Sequence, residues 1–258
     1  MRHAALLLSA AALALTGLAA CSQQTAEDIG PPPLAEVDDY GYAPAVEALP
    51  PGEPAPIGTY DEGEGYAWAE QAQYLNYAFE DDRPDYVYDY GGVDLWAWEA
   101  AGWYLLVEPL ISGDRYYYYR RGQTWPYYVI DDGYGYAYDD GRLVAVYDPS
   151  GLLMPASFVT QRADWGGRYL RRGRDIYRVR NSAPRREVDE RRWERRRERI
   201  EAEQTRLERA AERQPAWRDY RRRVEAAPPP IRQQLRAERE RRREAREARQ
   251  EARRDDRR

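Results

Sequence analysis

Residues 126–147, which read PYYVIDDGYGYAYDDGRLVAVY, decide the fold class of this chain. Aromatic and β-branched runs alternate here with two Asp-Asp-Gly turns, at 131–133 and 139–141. An Asp-Gly pair between two such runs is a strong sequence signal for a tight β-hairpin. The stretch therefore predicts three consecutive antiparallel strands, at 126–130, 134–138 and 143–147.

The same alternation continues toward the N-terminus and predicts three more strands, at 95–99, 103–108 and 115–120. In the strand at 134–138 the tyrosines share one face, while Gly135 and Ala137 leave the other face nearly flat. We expect a helix or a neighbouring strand to pack closely against that flat face.

Two segments at helical spacing could supply this packing. The first is an amphipathic helix over about residues 66–80, and an Asp-, Tyr- and Gly-rich loop is expected to follow it up to Gly92. The second lies between Phe158 and Ile176. The predicted fold is α+β: a small antiparallel β-meander packed with one or two helices, over residues 61–180.

Residues 181–258 are rich in Arg, Glu and Ala and favour helix. Pro215 and the prolines at 228–230 divide this tail into about three helices. We expect partial disorder here and self-association through a weak coiled coil, with little tertiary burial in the last helix, from about Ile231. That expectation comes from apolar residues at seven-residue spacing, namely Trp193, Ile200 and Leu207, followed with an offset by Ala210, Trp217, Val224 and Ile231.

Charge divides the chain into two unequal halves. Residues 21–164 contain 6 Arg against 26 Asp and Glu, whereas residues 165–258 contain 33 Arg against 19. Such asymmetry indicates an interaction tail, or two halves that attract each other. The candidate anion-binding residues of the tail are Arg195, Arg196, Arg197, Arg221, Arg222, Arg223, Arg241, Arg242 and Arg243.

The N-terminus carries a short basic region, an apolar run and then Leu18-Ala19-Ala20-Cys21, which resembles the lipobox of bacterial lipoproteins. The resemblance implies that residues 1–20 are a cleaved signal peptide and that Cys21 is lipidated, with Ser22 favouring the outer membrane, on its periplasmic face, over the inner membrane. An uncleaved anchor or a buried helix is the alternative. Residues 21–60 are Pro-rich, and we expect a disordered tether there.

Composition limits the chemistry of the mature chain. It would lack lysine, histidine and a free thiol, because His3 leaves with the signal peptide and Cys21 carries lipid. Most general bases and covalent nucleophiles are then missing, together with the usual zinc, copper and haem ligands. We therefore expect no enzyme, no cofactor and no metal.

The function expected from these features is a structural or binding role in the envelope. The arginine-rich tail would contact anionic components such as peptidoglycan or lipopolysaccharide, or fold back on the acidic half. Arginine suits phosphate and carboxylate equally. Export of the chain argues against nucleic acid as a partner.

The sequence leaves two alternative functions open. The first is a glycan-binding face, with Trp96, Trp98, Trp103, Tyr117, Tyr119 and Trp125 as candidates, unless these rings form the core. The second is a carboxylate-dependent hydrolase that uses the acidic pairs at 131–132 and 139–140, since glycosidases need two nearby carboxyl groups. Ordinary turn chemistry also explains these acidic pairs, and it is the explanation that we prefer.

Overall fold

The structure, a computed structural model, describes residues 49–61, 63–79, 82–110, 113–226 and 229–255. All of them belong to one compact unit, residues 38–258. The expected signal peptide, Cys21 and the part of the expected tether at 21–48 lie outside the described residues.

Seven antiparallel strands form one sheet in which each strand pairs with its neighbours in sequence, as a meander requires. This confirms the α+β prediction. The strands are β1 (Tyr86–Tyr90), β2 (Val93–Ala100), β3 (Trp103–Pro109), β4 (Asp114–Tyr119), β5 (Tyr128–Asp131), β6 (Tyr134–Asp139) and β7 (Arg142–Tyr147).

The two Asp-Asp-Gly turns connect β5 to β6 and β6 to β7. Asp132 and Asp140 have φ values of 48° and 46°, and the glycines after them, Gly133 and Gly141, have φ values of 76° and 74°. Two consecutive positive φ values define the type I′ turn, whose twist matches that of the flanking strands. The turn prediction is therefore confirmed in backbone detail.

Strand β1 was not predicted, because the sequence indicated a loop up to Gly92. Tyr86, Val87 and Tyr88 are buried, and Tyr88 pairs with Leu95 of β2. Aspartates and glycines around the strand hide its alternation, so only the pairing with β2 identifies it.

Helices cover both faces of the sheet. They are α1 (Ala67–Phe79), α2 (Ala156–Gln161), α3 (Ala163–Ser182), α4 (Glu190–Glu212), α5 (Pro215–Ala226) and α6 (Pro230–Asp255). The helix predicted at 66–80 is thus confirmed, and the second helical segment forms α2 and α3. The breaks at the prolines divide the tail into three helices, as predicted.

Helix α3 packs on one face of the sheet through glycines and tyrosine hydroxyls. Tyr138 donates to the carbonyl of Gly166, and Tyr119 donates to the carbonyl of Gly173, both at 2.8 Å. A Cβ on Gly173 would approach the ring of Pro126 to 2.6 Å, so the close packing requires glycine there.

Helix α1 and the tail helices cover the opposite face. Tyr128 of β5 lies over Gly135, where a Cβ would be only 2.1 Å from the tyrosine hydroxyl. Ala137 belongs to the same apolar cluster as residues of α1. The flat face is therefore filled by a neighbouring strand and by α1.

The tail is a layer of this domain, and the expectation of little tertiary burial in its last helix is wrong at Leu235, which is 2% exposed. Trp193, Ile200, Trp217 and Leu235 are all buried, with Trp217 only 1% exposed. They share one apolar cluster with the sheet and α1. The seven-residue spacing thus produces an apolar stripe that packs on the sheet.

Residues 49–58 were expected to belong to the tether but pack on the domain, so that part of the prediction is wrong. The amide of Ala55 donates to the carbonyl of Ala163 at 2.8 Å, and Ile57 bridges to Leu143 at the edge of β7. This segment covers the exposed edge that β7 would otherwise present.

Within the described ranges, none of the helices combines the length and the apolar character that crossing a membrane requires.

Candidate functional site

The arginines of the tail bind acidic groups of the sheet. The basic tail therefore folds back on the acidic half of the chain, which is one of the arrangements that the charge asymmetry indicated. Arg192 donates to Asp94 at 2.6 Å, and Arg186 binds the other oxygen of the same carboxylate. Arg196 pairs with Asp114, whose side chain is 1% exposed. These contacts fix the start of α4 against β2 and β4.

Helix α5 binds a buried carboxylate on α1. Glu70 is 1% exposed and accepts hydrogen bonds from Tyr74 at 2.6 Å and from Tyr220 at 3.0 Å. Arg221 lies 3.9 Å from the same carboxylate. Burial, followed by the nearby charge of Glu70, raises the pKa of Tyr220, so its hydroxyl stays protonated and donates.

A cleft of about 450 Å³ opens where α4 and α6 approach the loop between α1 and β1. We call it the arginine cleft. Trp193 and Pro84 contribute to its wall, and the rest is charged. Five arginines line it together with three carboxylates: Arg83, Arg197, Arg242, Arg246 and Arg249, with Asp82, Asp85 and Glu190.

Arg242 organises the inner part of the arginine cleft. Its guanidinium donates to Asp85 at 3.0 Å and reaches Asp82 at 3.5 Å, and it also binds the carbonyl of Glu99. Arg246 binds Asp82 at 2.5 Å. Burial raises the pKa of Asp82, although the two arginines partly oppose that shift.

The outer part of the arginine cleft has more accessible cations. Arg249 uses its Nε to donate to the carbonyl of Ala245 at 3.0 Å, and its terminal amino groups have no partner among the described residues. Arg83 lies 3.7 Å from the exposed Glu187. Five guanidinium groups against three carboxylates give the lining a surplus of two positive charges.

Of the nine arginines predicted to bind anions, only Arg197 and Arg242 line the arginine cleft. The structure does not gather the other seven there. Arg196 and Arg221 bind Asp114 and Glu70 as described above. Four of the rest bind nearby groups of the tail or of the residue 63 loop: Arg222 with Asp219, Arg223 with the Gly63 carbonyl, Arg241 with Glu238 and Arg243 with Glu247. Arg195 is exposed on α4.

The aromatic platform predicted for a glycan is wrong for four of its six residues. Trp96 and Trp98 are 2% exposed beneath the tail, and Tyr117 and Tyr119 are fully buried beneath α3. They lie on opposite faces of the sheet, where a sugar in solvent cannot stack on them. Strands covered on both faces bury both sets of side chains.

The other two platform candidates are partly accessible but separate. Trp103 packs edge-on against Tyr127, with ring centroids 5.7 Å apart. Trp125 lies under the guanidinium of Arg174, 5.8 Å away. Neither lines one of the clefts described here, and their role in glycan binding stays a prediction.

The acidic turns do not form a two-carboxyl site. Asp132, Asp139 and Asp140 are exposed at the hairpin tips. Asp131 accepts from Arg115 at 3.0 Å and from Tyr169 at 2.7 Å. A carboxylate held by these two donors has a structural role in joining α3 to the sheet.

A second buried charge network lies under α3. Glu108 is fully buried and accepts from Arg115 at 3.1 Å, from Tyr117 at 3.0 Å and from Arg172 at 2.9 Å. Nearby charges and a hydrogen bond raise the pKa of Arg115 despite its burial. Both carboxylate oxygens are satisfied, so this network stabilises the fold.

No group of three or more His, Cys, Asp or Glu side chains that could hold a metal ion occurs in the part of the chain that the structure describes. Comparison of the chain with models of protein families, with curated proteins and with solved structures found no match.

Sequence reasoning missed most of the arginine cleft. Arg83, Arg246 and Arg249 were not singled out, and neither were the carboxylates Asp82 and Asp85. One signal could have found part of it: on α6, Arg242, Arg246 and Arg249 recur at spacings of four and three, which places them on one helical face.

Proposed function

We propose that this protein is a lipid-anchored envelope protein that binds an anionic envelope component through its arginine-rich helices and catalyses no reaction. The observation that carries the proposal is the arginine cleft, where five arginines from three separate segments converge around one opening. Guanidinium groups bind carboxylate and phosphate in the same forked geometry.

The resemblance of 18–21 to a lipobox supports the anchor, with the outer membrane, on its periplasmic face, as the proposed location. The Pro-rich residues 21–48 would then be the spacer between Cys21 and the domain. Replacement of Cys21 by Ser should release the protein from the membrane fraction and abolish incorporation of labelled palmitate. Persistent labelling of that variant would contradict lipidation at Cys21.

Binding is tested by co-sedimentation with purified peptidoglycan sacculi and with lipopolysaccharide. An Arg197→Gln and Arg249→Gln double variant removes two charges from the arginine cleft. The matched control, Arg241→Gln with Arg243→Gln, removes two charges from exposed positions of α6. We expect salt-sensitive binding that only the first variant loses. Equal binding by both variants would overturn the proposal.

Self-association through the helical tail stays a proposal. The fold limits the helix faces through which two copies could meet. The apolar stripe of α4 and α5 faces the sheet, so a second copy would have to contact the outward faces of these helices. Sedimentation equilibrium of the domain tests this point directly.

A further inference from the structure

A polar groove runs along α1, and α4, α5 and α6 supply its other walls. Two adjoining hollows, of about 250 and 240 Å³, share Gln73, Tyr77 and Glu208. We call them together the amide groove. Asn76 of α1 and Glu201, Gln204 and Thr205 of α4 also line it.

The amide groove exists because α4 turns a polar face toward α1. Glu201, Gln204, Thr205 and Glu208 recur at the spacing of one helical stripe. Helices that pack directly on each other present apolar stripes at the contact. A polar stripe here leaves an open channel between the two helices.

Three primary amides line this channel: Gln73, Asn76 and Gln204. Asn76 accepts from Tyr118 at 3.0 Å through its carbonyl oxygen, and this contact fixes the orientation of its amide group. The NH₂ groups of all three have no partner within the described ranges. The oxygen of Gln73 accepts from Arg221 at 3.5 Å, so the groove offers a ligand mainly amide N–H donors, which suit the oxygen atoms of a sugar hydroxyl or an N-acetyl group.

An aromatic ring lies beside these amides. Tyr77 is 48% exposed and lines both hollows of the amide groove. The guanidinium of Arg239 lies 3.6 Å from its ring centroid and covers part of its surface. An exposed ring next to hydrogen-bonding amides can accept the C–H face of a pyranose, since its surface is apolar and its edge polar.

The amide groove and the arginine cleft adjoin through a single ion pair. Arg197 lines the cleft and Glu201 lines the groove, one turn apart on α4, with Nε and Oε1 2.5 Å apart. One extended ligand could therefore place neutral, hydroxyl-rich units in the groove and an anionic group in the cleft.

Resting on the function proposed above, we propose that the amide groove and the arginine cleft together bind a saccharide chain that carries free carboxylate groups, such as a peptidoglycan glycan whose N-acetylmuramic acid carboxyl groups are not linked to peptide. The small positive surplus of the arginine cleft favours this choice. Asp82, Asp85 and Glu190 lie among its arginines and would repel a dianionic phosphate more strongly than a carboxylate.

The test is calorimetric titration of the folded full domain with four probes. They are a short N-acetylglucosamine oligomer, a glycan of equal length that contains N-acetylmuramic acid, lactate, and a phosphorylated oligosaccharide. We expect the carboxylated glycan to bind at least about tenfold more tightly than the neutral oligomer and than lactate. Tighter binding of the phosphorylated probe would overturn the choice of carboxylate.

Variants separate the two parts of the site. Gln204→Ala and Tyr77→Ser should each weaken binding of the carboxylated glycan by about fivefold, the worth of one hydrogen bond or ring contact. The matched control, the exposed amide variant Gln234→Ala on α6, should leave it unchanged, and circular dichroism verifies the fold of each variant.

Failure of this inference and failure of the proposed function give different results. If the cleft variant abolishes binding while the groove variants have no effect, and lactate binds as well as the glycan, the saccharide inference is wrong and the anion site stands. If no anionic probe binds at all, both are wrong.

Discussion

Trp193 of α4 packs edge-on against Trp98 of β2, with ring centroids 5.8 Å apart and planes inclined at 68°. The contact joins the arginine-rich tail to β2 of the sheet. Both rings are buried, and the carbonyl of Asp82 accepts a hydrogen bond from the indole of Trp98 at 3.0 Å. The core contact therefore lies directly beside the arginine cleft.

Replacement of Trp193 by Ala should lower the free energy of unfolding by about 3–5 kcal/mol, because it removes a buried indole and leaves a cavity. Urea denaturation followed by circular dichroism measures the change. The matched control is Trp165→Ala, at a position 43% exposed on α3, where we expect a loss of about 1 kcal/mol or less. Equal losses in both variants would contradict the burial of the tail.

Replacement of Arg242 by Ala should cost about 3 kcal/mol, since it leaves the largely buried Asp82 with less compensation. Its neighbour Arg241 is 63% exposed and pairs within α6, so Arg241→Ala should cost about 0.5 kcal/mol or less. The same denaturation experiment compares the two. A loss from Arg242→Ala as small as that of the control would show that the pair contributes nothing.

High pH should unfold the domain through its tyrosines. Burial raises the pKa of Tyr136 to about 12, and it also raises the pKa of Tyr88, Tyr116 and Tyr138 well above the ordinary tyrosine value. The unfolded chain loses these protons near pH 10 while the native state keeps them. Stability is therefore complete below about pH 10 and is lost as pH rises toward the folded pKa values.

Tyrosinate absorbance and unfolding free energy, measured together between about pH 8 and pH 12, check this expectation. Ionisation of the buried tyrosines should coincide with cooperative loss of structure. Ionisation of most tyrosines near pH 10 with the fold intact would contradict their burial.

The hairpins and the separate tail helices could be predicted because local chemistry determines them. Asp-Gly pairs fix the turns at Gly133 and Gly141, and Pro215 ends a helix whatever lies nearby. Strand β1 escaped prediction because Asp89 and two following glycines resemble a loop, and only its pairing with β2 identifies it.

The packing of the tail could not be predicted because it depends on contacts distant in sequence. Arg242 and Asp85 are 157 residues apart. An arginine and glutamate pattern at i, i+4 describes a solvated helix and a packed one equally well. The charge asymmetry indicated that the halves could attract, but it did not identify the partners.

The aromatic platform was predicted wrongly for a related reason. Residues 116–119 are four consecutive tyrosines, which a one-sided sheet would place half in water. Two helical layers bury all four, and the second layer is formed by α1 together with the tail. The exposed tyrosine ring that lines the amide groove is Tyr77 on α1. No sequence motif includes this residue.

We propose that the arginine-rich helices form a folded wall of the binding site. Hydrogen exchange of the full-length protein, analysed by mass spectrometry, tests it most directly. We expect amides of residues 231–246 in α6 to exchange as slowly as those of α1, and the carboxylated glycan to slow them further. Exchange of this segment at the rate of an unstructured peptide, unchanged by the glycan, would contradict the claim.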